Sequence, residues 1–219
     1  MGKPETDLAL RIQKKTLELL LEKEPEEIST RDIARACGVS ATSIYYYYKD
    51  KETLFTELKV FCIREMDEFI AGQISIKLSK QRRQDGIGDT IAEARAGFEA
   101  FRDWAFANPR MAHLVMGRLK ADTSKDPEKM AKYYRSTLFA KSILDRAVKE
   151  GFSSSKDTML DASLCIAAIW GAVESVLLKR TIPKYWTRNK GLIFTNSMIE
   201  MLLAQLISKK NQPGKRKTY

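Results

Sequence analysis

Catalytic chemistry has little to work with in this sequence. Its one histidine, His113, has no second imidazole or thiol at a metal-ligand spacing, no Gly-rich phosphate loop is present, and spacing suggests no Ser-His-Asp set. Cys37, Cys62 and Cys165 are odd in number, far apart and without CxxC spacing, the pattern of reduced, packed thiols. We therefore expect no enzyme, no metal and no cofactor. The chain does offer hydrogen-bond donors at close spacing. Residues 38–51, GVSATSIYYYYKDK, set four tyrosines side by side between a Gly-Val-Ser start and a Lys-Asp-Lys finish. A tyrosine can lay its ring on a helix and donate its hydroxyl to a phosphate oxygen, and serine, threonine and lysine donate in the same way. The chemistry in prospect is non-covalent recognition of a polyanion.

Two short helices must position these groups. Ser29-Thr30 is a capping pair ahead of RDIARAC, and Thr30 as N-cap gives a two-turn helix with Ile33 and Ala34 inward. Gly38 can adopt the left-handed conformation that ends it, Val39 plugs the turn, and Ser40 caps a second short helix, Ala41 to Tyr48. Such a pair is a helix-turn-helix. At about 100° per residue, Ile44, Tyr48 and Ala41 share the inner side, whereas Thr42, Ser43, Tyr45 and Tyr46 cover the outer face with Tyr47 at its edge. An exposed aromatic cluster on two turns of helix calls for something to stack on it or hydrogen-bond it. The small Ala41, Thr42 and Ser43 let that end approach base edges, and Lys51 adds a cation at the start of the next helix.

The segment TRDIARACGVSATSIYYYYKDKETLFTEL resembles the amino-terminal pattern of the TetR-type transcriptional regulators: Thr-x-x-x-Ile-Ala, Gly-Val-Ser, a hydrophobic-Tyr-x-x-aromatic run, then Lys and an apolar helix. The likeness covers about residues 8–60. It implies that Thr30, Arg31, Ser40, Ala41, Thr42, Ser43, Tyr45, Tyr46, Tyr47 and Lys51 fall on operator-contacting positions. Tyr48 stands where phenylalanine is usual, Cys37 where alanine is common, and Glu24-Pro25-Glu26 replaces a frequent glycine turn. None of these departures removes an expected DNA contact.

Helical periodicity continues through the rest of the chain without sustained period-2 alternation, so we expect an all-α protein. Its organisation would be a three-helix DNA-binding domain over 1–55, a larger helical ligand-binding and dimerisation domain over 56–210, and a basic, flexible tail over 211–219. Helices are expected over 7–23, 51–79, 89–107, 109–120, 127–150, 158–180 and 188–209, with proline at the first turn after Asn108. The last two are apolar on more than one face, and a helix apolar on two faces must be buried on two sides. This points to a two-fold four-helix bundle using Ile169, Val173, Phe194, Met198, Ile199, Leu203 and Leu206, and the resemblance implies the same pairing. A helix fully internal to a monomer is the alternative.

Aromatic and methionine side chains on the middle helices could line a pocket for an apolar or cationic small molecule, or form ordinary core. The candidates are Phe101, Trp104, Met111, His113, Met116, Tyr133 and Trp170. His113 also suits a satisfied surface position, and Glu174 suits either a cationic effector or an ion pair at a dimer edge.

The net charge of +10 on 219 residues fits a polyanionic partner, but residues 1–65 carry 11 Lys/Arg and 12 Asp/Glu, a net of −1, so the excess lies beyond them. Runs such as KLSKQRR (77–83) and the 209–219 tail read as solvated faces or loose termini as readily as DNA contacts. A polar start, Met1 to Asp7, and an apolar stretch over 164–178 that is short and carries Glu174 lead us to expect no leader or membrane span and a cytoplasmic protein. The functional expectation is a homodimeric regulator, a repressor released from palindromic double-stranded operator DNA by a small-molecule effector. A helical adaptor that binds protein through the tyrosine face is the alternative.

Overall fold

The computed structural model describes residues 4–81, 89–117 and 127–206, and the basic tail over 211–219 lies outside them. Every regular element there is helical: α1 (Pro4–Leu19), α2 (Thr30–Cys37), α3 (Ala41–Tyr47), α4 (Lys51–Gln81), α5 (Asp89–Ala107), α6 (Pro109–Met116), α7 (Pro127–Tyr133), α8 (Arg135–Lys149), α9 (Thr158–Leu177) and α10 (Arg188–Leu206), with a turn of 3-10 helix at Pro183–Tyr185. The all-α expectation holds.

Two compact units divide these helices. The first takes residues 4–65 and 108–117, the second 66–81, 89–107 and 127–206. The division does not follow the boundary at 55 read from the sequence. Residues 56–65 of α4 remain with the first unit, and so does α6. Its Leu114 packs on the core formed by Ile12, Leu20, Ile33, Ile44 and Leu58. His113 Nδ1 lies 3.1 Å from Glu24 Oε2, and the buried Lys59 ammonium donates to the Gly117 carbonyl at the end of α6. Burial pushes the Lys59 pKa down to about 8.

In the second unit, α9 buries Cys165, Ile169, Val173 and Val176. α10 approaches it at Gly191, where an added Cβ would lie 2.7 Å from Val176 Cγ1, so no larger residue fits without a shift. Arg95 pairs with Glu200 and Arg102 with Asn196 between α5 and α10, while Thr90 donates to Glu150 at 2.7 Å. α9 is long and apolar enough to cross a membrane by length and composition alone, yet six of its residues are buried in this bundle.

The first helix runs Pro4–Leu19 against the expected 7–23, and two further boundaries depart from the sequence expectation for local reasons. The helix expected over 127–150 is two, because Tyr134 leaves helical geometry (φ −107°, ψ 21°) before α8 begins. α9 stops at Leu177 short of Arg180 because Lys179 takes a left-handed φ of 53°, letting the Arg180 N–H reach back to the Ser175 carbonyl at 2.8 Å. All three cysteines are free and buried.

Candidate nucleic-acid interface

Capping chemistry sets both helices of the motif. Ser29, not Thr30, is the N-cap of α2. Its hydroxyl oxygen accepts from the Asp32 N–H at 3.1 Å while the Asp32 carboxylate accepts from the Ser29 N–H at 3.0 Å, a reciprocal capping box. Hydrogen bonds from the Ser29 hydroxyl and N–H hold the Asp32 carboxyl below its usual range. Thr30 and Arg31 then open α2, the first half-buried and the second exposed. At the other end Gly38 has φ 65° and ψ 34°, its N–H reaching the Arg35 carbonyl and that of Val39 the Ala34 carbonyl. Only a residue tolerant of positive φ turns the chain here without strain. Ser40 caps α3, its hydroxyl oxygen accepting from the Ser43 N–H at 3.2 Å with the two hydroxyls 2.9 Å apart.

The four tyrosines separate by helix face. Tyr48, the C-cap of α3, is 3% exposed and accepts a hydrogen bond from Gln13 Nε2 at 3.2 Å. Burial raises its hydroxyl pKa, with the Gln13 bond opposing. Ile44 is buried beside it, and Tyr47 is half-buried against the same core. Tyr45 and Tyr46 point outward, 53% and 74% exposed, and the Tyr46 ring meets Tyr47 edge to face at 5.2 Å between centroids. Thr42 is exposed on the same turn, with Ala41 and Ser43 half-buried.

Asp50 starts α4 by accepting from the Thr53 N–H at 2.7 Å and its hydroxyl at 2.8 Å, and these bonds depress its pKa. Lys51 follows with its ammonium 3.4 Å from the Glu26 carbonyl and 5.1 Å from the Phe55 ring centroid. Partial burial lowers its pKa, against the charge of Glu26. Lys49, exposed just ahead of it, is a further cation at this end of the motif, absent from the expected contact set. Nothing in the sequence signals Gln13, whose role depends on a contact 35 residues away.

A second candidate site lies wholly in the unit over 66–206: a cavity of about 300 Å³ walled by α4, α5, α8 and α9, with Leu206 of α10. Phe101 and Trp170 line it, their rings stacked at 6.1 Å. The other expected pocket residues do not. Met111, His113 and Met116 sit on α6 in the first unit, Trp104 is buried outside the lining, and Glu174 accepts from Arg180 at 3.1 Å. Tyr133 ends α7 and is also absent from the lining. The expected pairing residues are likewise redistributed. Ile169, Val173, Ile199 and Leu203 are buried in the chain's own core, and Leu206 lines the cavity. Phe194 and Met198 are half-buried, Phe194 lying 5.2 Å from Tyr185. Exposed apolar residues occupy a different face: Leu160 and Leu164 of α9, Ile193 and Met201 of α10.

A short helix that follows a glycine turn, buries one side in a small helical core and offers hydroxyls and tyrosines on the other is the second helix of a helix-turn-helix motif. Residues 12–58 match the family model for bacterial regulatory proteins of the tetR family. Over that segment the chain carries the DNA-binding domain of this family of transcriptional regulators. Solved structures share the fold over nearly the whole chain. The fatty acid degradation regulator FadR of Bacillus halodurans is 17% identical, with 93% of this chain and 96% of that one covered and a TM-score of 0.65. The TetR family regulator PfmR of Thermus thermophilus is 17% identical over 90% and 100% of the chains, TM-score 0.57. A TetR family regulator of Agrobacterium tumefaciens is 16% identical over 93% and 99%, TM-score 0.60. No curated protein matches this chain.

Proposed function

We propose that the protein is a cytoplasmic, homodimeric repressor that leaves a palindromic operator when a small molecule occupies the cavity of its second unit. The observation that carries this reading is the sorting of the tyrosine run: Tyr48 is held in the core, so Tyr45 and Tyr46 stand in solvent beside Thr42. Exposed tyrosine hydroxyls beside small residues at a helix start are the groups a recognition helix offers to phosphates and base edges. In this mechanism Ala41, Thr42 and Ser43 face base edges, while Tyr45, Tyr46, Tyr47 and Lys51 take phosphates, with Thr30, Arg31 and Ser40 at the rim. Two copies pair through the outward faces of α9 and α10, where Leu160, Leu164, Ile193 and Met201 are exposed. A two-fold protein reads a two-fold site. Effector binding acts by population shift, lowering DNA affinity by the ratio of its affinities for the two states. α4 is the element common to both ends of this scheme, since it carries Lys51 near its start and Asp67 in the cavity wall.

Binding of the full chain to duplexes selected from a random pool tests the reading. Recovery of a palindromic site is expected, and failure to retain any duplex at low salt would leave the adaptor alternative.

A further inference from the structure

The cavity wall carries one chemical oddity. Among about 300 Å³ of space lined by Ile70, Phe98, Phe101, Phe139 and Trp170, a carboxylate, Asp67, sits with its side chain only 11% exposed. Its Oδ1 accepts from the Ser136 hydroxyl at 3.0 Å. Its Oδ2 is out of solvent and accepts no hydrogen bond from any described residue. Arg135 is the other charged residue of the lining, and its guanidinium Nε is 3.5 Å from Oδ2 while 61% of the side chain lies in solvent. The remaining ionisable group of the lining, the Cys165 thiol, is pushed up to about 11 by burial and stays neutral.

A largely enclosed carboxylate whose second oxygen has no hydrogen bond from a described residue and only a 3.5 Å ion pair to a mostly solvated guanidinium is weakly compensated, and it persists in a folded chain where something else makes use of it. Resting on the reading of this unit as effector-binding, we propose that the effector is a compact apolar cation, an amine or ammonium on an aromatic or aliphatic body, held by Asp67 Oδ2. The aromatic walls favour such a body, and ring faces attract a cation electrostatically. A turn of the carboxyl group brings Oδ2 to the incoming ammonium, which replaces the loosely placed Arg135. An acid of the same shape would set a second anion beside Asp67, with only a mostly hydrated guanidinium to offset it. Desolvation raises the Asp67 pKa, with Ser136 and then Arg135 opposing, as expected of a carboxylate short of partners.

The test uses the full-length protein and three probes of one shape: 4-phenylbutylamine, 4-phenylbutanoate and 4-phenylbutanol. Their binding is followed by calorimetry and by the change in tryptophan fluorescence, Trp170 being the tryptophan in the cavity wall. The amine should bind at least about tenfold more tightly than the acid. Asp67→Asn should erase that preference while leaving the alcohol's affinity in place, with folding checked by circular dichroism. Arg135→Gln, which removes the competing cation from an exposed position, should tighten the amine and serves if Asp67→Asn fails to fold. Tighter binding of the acid, an amine preference that survives Asp67→Asn, or no binding of the amine overturns the proposal. Retained operator binding in any of those cases shows that the effector assignment has failed and the regulator reading has not. An amine that binds to a protein with no affinity for any duplex shows the reverse.

Discussion

Gln13 of α1 donates to the buried hydroxyl of Tyr48 at 3.2 Å, across the core of the first unit. This bond fixes the end of α3, and because successive residues on a helix are about 100° apart, it also fixes where the preceding tyrosines look. Tyr48→Phe should cost about 1 kcal/mol in urea denaturation, the worth of a buried hydrogen bond, with little change in operator affinity. Tyr46→Phe should do the reverse, with stability within about 0.5 kcal/mol of wild type and weaker DNA binding by fluorescence anisotropy. Equal effects of the two on both measurements would count against this division of roles.

Lys51 is assigned to phosphate. A phosphate contact releases about 0.9 counterion, so Lys51→Ala should flatten the slope of log affinity against log salt by roughly 1.8 for a dimer, with base preference retained. Thr42→Ala should leave the slope alone and cost up to about 1 to 3 kcal/mol of discrimination at one base position. A changed base preference in Lys51→Ala would place that side chain elsewhere.

The pairing surface is tested by outward and inward substitutions together. Leu164→Glu with Met201→Glu should give a folded monomer, read as mass by light scattering with helicity retained. Leu203→Glu, at a residue 3% exposed in the chain's own core, should instead lose helicity because a buried, unpaired charge is costly. A dimer mass unchanged in the outward double variant contradicts the assignment.

The buried lysine of the first unit makes a pH prediction. Lys59 falls to about 8 when folded, below its unfolded value, so the folded state binds fewer protons than the unfolded one between those two values. Its penalty is present below pH 8 and is relieved as pH rises toward 10.5. Cys62 and Cys165 run the other way. Burial raises them to about 12 and about 11, so the stability they contribute below the unfolded thiol pKa is lost as pH rises. Comparing Lys59→Met with wild type cancels the thiols. The stability of the variant relative to wild type should fall by up to about 3 kcal/mol between about pH 7 and 10.5. A difference independent of pH would show that Lys59 titrates normally.

The sequence reveals what depends on neighbours along the chain and hides what depends on distant contacts. Ile44 and Tyr48 inward with Tyr46 outward follows from helical period, and Gly38 and Ser40 announce their turn and cap by residue type. Ser29 and Thr30 are both competent caps, and only the Asp32 carboxylate three residues after Ser29 decides between them. α6 reads as part of the larger domain because periodicity shows that a helix has an apolar face but not which core receives it. Ile169 and Val173 lie on a helix with apolar residues at many angles, so the sequence does not distinguish their buried side from the exposed side of Leu160 and Leu164. Asp67, Arg135 and Ser136 come together from helices far apart in the chain, and no local pattern marks them as one cluster.

Whether the outer face of α3 reads DNA is decided by footprinting the full-length protein on its selected duplex. Two half-sites related by two-fold symmetry should be protected, with centres about one helical turn or a multiple of it apart, and that protection should be lost in Thr42→Ala combined with Tyr46→Ala at unchanged helicity. Protection that survives this double substitution, or one asymmetric patch covered by one subunit, would contradict that role of α3.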